Sequence, residues 1–162
     1  MKIVIADTGA LVSLALVESI DLIEKIFGRV YIANAVWQEL NTYKNPNFSK
    51  DILIDLEPKV VSIKSPNRLG MLMDYGESES VILYEELKAD YLLIDDKKAR
   101  FLAESMEVNC VGSLGLLIEA RSRGLIDELR PKFETWLDNE RYFSRKLLNV
   151  VLEKMGEDRI ET

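Results

Sequence analysis

Short apolar runs alternate along the chain with segments whose apolar residues repeat at helical spacing. Strands are predicted at residues 3–5, 29–32, 60–63, 91–94 and 109–111. Helices are predicted directly after residues 8 and 96, and at 20–26, 35–43, 50–56, 76–90, 114–123, 127–138 and 144–155. The strands lack polar alternation, so we expect a parallel sheet covered by helices on both faces. The predicted fold class is α/β, a three-layer α/β/α arrangement with extra C-terminal helices.

Local signals place the helix ends and the domain limits. Thr8, Asn34 and Ser113 are predicted N-caps, and Gly124 has the position of a residue that ends a helix. The less regular stretch at 44–75 keeps apolar residues throughout, so we interpret it as part of the domain and not as a linker. One domain is predicted over residues 1–126, with residues 127–162 as a helical extension packed on it.

The amino-acid composition restricts the expected cellular location and the types of catalytic site. The chain has 162 residues, a single cysteine, Cys110, and no apolar run long enough to span a membrane, and its start does not resemble a signal peptide. A cytoplasmic protein without a membrane partner is expected. There is no histidine, which excludes Ser-His-Asp and Cys-His catalysis and nearly every imidazole-based metal site. The net charge of −7 argues against broad coating of nucleic acid.

Acidic residues follow the predicted strands or begin helices. Asp7 follows the first strand, Asp95 and Asp96 follow the strand at 91–94, and Glu77 and Glu79 stand at a helix start. Ligands of open parallel sheets gather at the carboxyl ends of the strands. Two carboxylates about 4 Å apart repel by about 4 kcal/mol at an effective dielectric constant near 20. An all-oxygen cluster of this kind predicts bound Mg²⁺ or Mn²⁺.

Each of these candidate residues also has a purely structural interpretation. Asp96, Glu77 and Ser113 have the positions of residues that cap a helix or complement its dipole. Glu39 alone is typical of a solvated helix surface. Asp7 fits capping less well, because the adjacent Thr8 could cap the helix without it.

Several motifs together resemble the PIN-domain ribonucleases, most closely the VapC-type toxins. They are the N-terminal IVIADTGALVSLA, the VWQEL helix, GESE at 76–79, IDDKKAR at 94–100 and VGSLG at 111–115. The resemblance covers residues 1–124 and implies a metal-dependent endoribonuclease that hydrolyses RNA phosphodiester bonds. It also implies an antitoxin protein as partner and a homodimer.

The resemblance assigns roles to individual residues. It makes Asp7, Glu39, Glu79 and Asp95 the catalytic acids, with Mg²⁺ or Mn²⁺ held by Asp7, Asp95 and Glu79 and with Glu77 and Asp96 as alternates. Residues two apart on a helix point about 200° apart, so Glu77 and Glu79 reach one ion only if Glu77 precedes the regular helix. The expected RNA contacts are Thr8, Ser113, Lys97, Lys98 and Arg100.

Other enzyme classes fit the residues less well, and one alternative of another class stays open. A haloacid-dehalogenase phosphatase needs an aspartate where Gly9 stands, and residues 6–10 lack the spaced glycines of a dinucleotide site. The alternative is a catalytically weak PIN-fold module that binds RNA or protein. An apolar stripe on the last helix is typical of core packing but also suits a dimer or antitoxin contact; its members are Leu147, Leu148, Val151, Leu152 and Met155.

Overall fold

A five-stranded parallel sheet forms the centre of the protein, in a computed structural model that describes residues 1–42, 46–141 and 143–161. The strand order is β3-β2-β1-β4-β5. The strands are β1 (Lys2–Ala6), β2 (Gly28–Ala33), β3 (Val60–Val61), β4 (Tyr91–Leu93) and β5 (Cys110–Val111). All neighbouring strands pair in parallel, which confirms the predicted α/β fold class.

The connections between strands are helical. The helices of the described residues are α1 (Thr8–Leu16), α2 (Asp21–Phe27), α3 (Asn34–Thr42), α4 (Lys50–Leu56), α5 (Tyr75–Glu86), α6 (Lys97–Ser105), α7 (Ser113–Ser122), α8 (Arg130–Asp138) and α9 (Arg145–Lys154). A 3₁₀ turn at Glu57–Lys59 leads from α4 into β3. None of these helices is long and apolar enough to cross a membrane.

Most predicted elements occur with small shifts at their ends. Helix α4 has the predicted limits, whereas α8 begins at Arg130 and not at residue 127, with Pro131 in its first turn. Proline suits that position because its missing N–H would have no partner in the helix. Gly124 follows α7 with φ +75°, as a residue that ends a helix does. Tyr43, the last residue of the predicted helix at 35–43, lies outside the described residues.

The strand order changes direction at β1, which lies between β2 and β4. The chain moves outward from β1 to β2 and β3, then returns to the other side of β1 for β4 and β5. The backbone N–H of Asp7 donates to the Leu93 carbonyl at 2.9 Å, so β1 and β4 end side by side. Such a switch point opens a crevice at the carboxyl ends of the strands.

The C-terminal helices share the core of the sheet domain. Trp136 of α8 is fully buried, and its Nε1 donates to the carbonyl of Ser13 in α1 at 2.8 Å. In α9 Leu148 and Leu152 are buried, whereas Leu147 is 44% exposed. The apolar stripe therefore packs mainly into the core, and Leu147 departs from the predicted pattern.

Candidate active site

Asp7 lies at the crevice where β1 ends, and its side chain is buried. It has the N-cap position of α1, but its carboxylate makes no hydrogen bond of the capping kind. The prediction that Thr8 is the N-cap is wrong, because Thr8 is the first residue of the helix. Capping therefore does not explain an aspartate at position 7.

The surroundings of Asp7 disfavour its charged form. Burial, followed by the negative charges of Glu77, Asp74 and Glu39, raises the pKa of Asp7 well above its usual value. The Ser80 hydroxyl lies 3.4 Å from Asp7 Oδ1 but only 2.7 Å from the Gly76 carbonyl, so it gives Asp7 little compensation. Among the described residues, neither Asp7 nor any of these three neighbouring acids forms an ion pair.

Glu77 and Glu79 point in different directions. Glu77 lies inside α5, so the condition under which both would reach one ion is not met. Burial and the charges of Asp74 and Asp96 raise the pKa of Glu77 to about 7, which places Glu77 among the acids around Asp7. Glu79 Oε1 instead accepts a hydrogen bond from the Ala35 backbone N–H at 3.0 Å, at the start of α3.

Asp74 is an acidic residue of this cluster that the sequence analysis missed. It is the N-cap of α5, and its Oδ1 accepts from the Glu77 backbone N–H at 2.8 Å. The helix begins at Tyr75, one residue before the predicted start at Gly76. A capping residue followed three positions later by glutamate is a known helix-start signal, and Asp74 and Glu77 have that spacing.

Glu39 is held between α1 and α5. Its Oε2 accepts a hydrogen bond from the Thr8 hydroxyl at 2.6 Å. A Cβ atom at Gly76 would lie 2.5 Å from Glu39 Oε1, so the glycine leaves the space that the carboxylate fills. These contacts orient Glu39 toward the start of α5, and they explain why this helix carries a buried glycine.

Gly76→Ala tests this arrangement. The new methyl group would displace the Glu39 carboxylate, and a side-chain end can move cheaply. Alanine also favours a helix by about 0.5–1 kcal/mol over glycine. We therefore expect an unchanged or higher melting temperature together with about 10-fold weaker binding of Mn²⁺, measured by calorimetry.

Gly115→Ala is the matched control for that substitution. Its Cβ would meet Val111 Cγ2 at 3.6 Å, an ordinary contact inside α7. Unchanged Mn²⁺ affinity in Gly76→Ala would show that the position of Glu39 does not matter for the ion.

Asp95 is fixed by the start of α7. Its Oδ1 accepts from the Ser113 backbone N–H at 2.7 Å and its Oδ2 from the Ser113 hydroxyl at 2.6 Å. Gly112, not Ser113, is the N-cap of α7, so that capping prediction is wrong. Arg100 Nη1 and Asp95 Oδ1 both lie 3.3 Å from the place of a Cβ at Gly112, which puts the guanidinium and the carboxylate on the same side of this glycine.

The structural interpretation of Asp96 is confirmed. Its Oδ1 accepts from the Ala99 backbone N–H at 2.9 Å and caps α6, while its charge acts on Glu77. Lys97 and Lys98 follow as exposed residues. Arg100 is half-buried and pairs with Glu104 at 2.7 Å.

The crevice at the switch point thus holds a buried carboxylate among other acids, on a five-stranded parallel sheet. The sequence matches the family model described as PIN domain (DUF3368) over residues 3–157. The chain belongs to the PIN-domain family. PIN domains are generally nucleases, and they typically use divalent metals. No curated protein matches the chain.

The donor atoms at this site of the PIN domain are of the kind that a hard divalent cation prefers. Among the described residues, the side chains that act on Asp7 offer oxygen atoms, from the carboxylates of Glu77, Asp74 and Glu39 and from the Ser80 hydroxyl, and Mg²⁺ prefers oxygen ligands. Within the described ranges, no three acidic or cysteine side chains lie in a geometry that could hold a metal ion. Mg²⁺ usually retains several waters and takes only one or two carboxylates directly, so a three-carboxylate cage is not required.

Proposed function

We propose that this PIN domain is a metal-dependent ribonuclease that hydrolyses phosphodiester bonds in RNA with Mg²⁺ or Mn²⁺. The observation that carries the proposal is the burial of Asp7 among three acids, with no ion-pair partner for it in the part of the chain that the structure describes. Such an arrangement costs folding free energy, and a bound cation would offset that cost. Membership of a family of nucleases supplies the reaction class.

Asp7 would hold the ion together with Glu77, Glu39 or Asp95. When bound, the ion lowers the pKa of a water molecule and neutralises charge on the phosphate oxygens. Asp95 suits this role because its two hydrogen bonds from Ser113 fix its carboxylate and leave lone pairs available. Asp96 would act from outside through its charge on Glu77, and Glu79 through its hydrogen bond to the start of α3.

The neighbouring hydroxyls and basic residues would complete the site. Thr8 and Ser113 donate to carboxylates, so we propose that they position Glu39 and Asp95, and that any contact with RNA is secondary. Lys97 and Lys98 are exposed beside the crevice and would bind RNA phosphates. Arg100 would also bind an RNA phosphate once its ion pair with Glu104 is broken.

The test is cleavage of a panel of single-stranded and hairpin RNAs with millimolar Mg²⁺ or Mn²⁺, or with excess EDTA. We expect cleavage with either ion and none in EDTA. The free protein should also melt at a higher temperature with the ion, since a ligand at about 100 times its Kd adds about 2.7 kcal/mol to the free energy of unfolding. Full activity in EDTA would contradict the proposal. Stabilisation without any cleavage would favour the alternative, a PIN-fold binding module.

We further propose that the protein belongs to the VapC-type toxins, which an antitoxin holds inactive, and that it forms a homodimer. The motifs at 76–79, 94–100 and 111–115 support this assignment. Its expression in bacteria should stop growth, whereas the Asp7→Asn variant should not. Normal growth of cells that contain active wild-type enzyme would contradict the toxin role. The homodimer is tested separately, by measuring the molecular mass with light scattering.

A further inference from the structure

Three exposed apolar side chains stand at the start of α5, beside the proposed active site. Met71 is 99% exposed, Leu72 59% and Tyr75 70%. We call these three residues the α5 ridge. Exposed apolar clusters on a soluble protein typically mark a surface that binds something.

The α5 ridge borders two acidic clefts. A cleft of about 330 Å³ is lined by Met71, Leu72, Asp74 and Glu77, together with Lys98. A second cleft of about 450 Å³ is lined by Tyr75, Glu39 and Glu79. Residues of the ridge therefore line both clefts.

Buried contacts hold the ridge in place. Leu69 and Met73, which alternate with the ridge residues, are buried in the core. Asn67 Nδ2 donates to the Ser78 hydroxyl at 2.8 Å, and the Ser78 hydroxyl donates to the Asp74 carbonyl at 2.7 Å. The loop is thus attached to α5 on its inner side, and its apolar side chains are presented outward.

The charge of the protein indicates how it would bind an RNA chain. With a net charge of −7, and with Lys97 and Lys98 as the exposed lysines of the described part of the crevice, attraction to phosphates supplies little affinity. Stacking of unpaired bases on aromatic rings is independent of that charge and contributes strongly to single-strand binding. Tyr75 is an exposed aromatic ring that lines the same cleft as Glu39.

We propose that Tyr75, with Met71 and Leu72 beside it, is the platform on which unpaired bases of the RNA stack next to the cleaved phosphate. This inference rests on the proposed ribonuclease function. It makes Tyr75 a substrate-binding residue that selects single-stranded RNA, because the bases of a duplex are stacked on each other and cannot reach the ring.

Cleavage kinetics on a single-stranded RNA test the platform. Tyr75→Ala should raise KM about 10-fold with little change in kcat, and Tyr75→Phe should behave as the wild type, since the ring and not the hydroxyl does the stacking. Phe101→Ala is the matched control: Phe101 is 71% exposed on α6 and lines neither cleft. An unchanged KM in Tyr75→Ala would overturn the proposal.

A binding measurement separates failure of the platform from failure of the nuclease assignment. In EDTA, RNAs that carry 2-aminopurine at successive positions are titrated with the wild type and with Tyr75→Ala. We expect fluorescence quenching at one or two positions with the wild type and its loss in the variant. Equal quenching in both proteins overturns the platform, whereas absence of cleavage together with Tyr75-dependent quenching overturns only the nuclease assignment. A changed molecular mass of Tyr75→Ala in light scattering, without loss of quenching, would assign the ridge to a contact between copies and also overturn the platform.

Discussion

Asp7→Asn should lower the rate of RNA cleavage at least about 10³-fold while the fold is retained. Asparagine has the size of aspartate and still accepts the weak hydrogen bond from Ser80, so packing at the end of β1 does not change. What disappears is the negative charge that would hold the cation. Single-turnover cleavage of an RNA substrate at saturating Mn²⁺ measures the loss.

The same substitution should stabilise the protein when no metal is present. The pKa of Asp7 in the folded state lies above its unfolded value, so the folded chain binds this proton more tightly. The free energy of unfolding then falls as the pH rises from about 4 through the folded pKa, and the Asp7→Asn variant lacks that fall. The pKa of Glu77 is raised to about 7, so in both proteins the free energy of unfolding also decreases as the pH rises from about 4.5 to 7.

Melting curves in EDTA at several pH values measure this difference. Asp7→Asn should melt higher than the wild type at pH 8, by about 2–4 °C for each kcal/mol gained, and the gap should narrow toward pH 5. Added Mn²⁺ should raise the melting temperature of the wild type but not that of Asp7→Asn. Asp21→Asn, which removes an exposed ion pair with Lys25, is the control: it should gain no stability at pH 8, and Mn²⁺ should still raise its melting temperature. A variant that is less stable at pH 8, or that still cleaves RNA, would contradict the assigned role of Asp7.

The order of the elements and the parallel sheet followed from the sequence because local patterns determine them. Unbroken apolar runs separated by helical segments leave few alternatives to a covered parallel sheet. The position of Asp7 at the end of β1 followed for the same reason. The family resemblance was confirmed at the level of the PIN domain, and the assignment to VapC-type toxins remains a proposal.

The three predicted helix caps, Thr8, Asn34 and Ser113, are instead the first residues of their helices, and for two of them the error has a shared reason. Thr8 and Ser113 each stand at a helix start, where a hydroxyl normally bonds to a backbone N–H of its own helix. In the structure each hydroxyl donates instead to a carboxylate, Thr8 to a residue 31 positions away and Ser113 to a residue 18 positions away. Local statistics contain no information about such partners. Both exceptions involve predicted catalytic acids, where local rules are expected to fail.

The distinction between Glu77 and Glu79 also depended on three-dimensional contacts. The sequence showed that the two side chains diverge on a helix but not which one turns toward Asp7. In the structure Glu77 lies beside the Asp74 cap and acts on Asp7 through its charge, whereas Glu79 bonds to the start of α3. Asp7 and α3 come from other parts of the chain, which local patterns do not describe.

Trp136→Ala should lower the free energy of unfolding by about 3–5 kcal/mol. The indole is fully buried and stacks with Phe133 and Phe143 at ring-centroid distances of 5.7 and 4.5 Å. Its Nε1–H is also bonded to the Ser13 carbonyl of α1. The substitution therefore leaves a cavity and removes a hydrogen bond between the C-terminal helices and the helix that follows Asp7.

Urea unfolding followed by circular dichroism tests whether residues 127–162 fold as one unit with residues 1–126. If they do, Trp136→Ala shifts a single transition of the whole chain to lower urea. Trp136→Phe, which keeps most of the volume but not the hydrogen bond, should cost about 1–2 kcal/mol. Because α1 begins directly after Asp7, loosening its packing should also weaken Mn²⁺ binding in Trp136→Ala. A separate early transition, with the main one unchanged, would instead show that the C-terminal helices are an independent appendage.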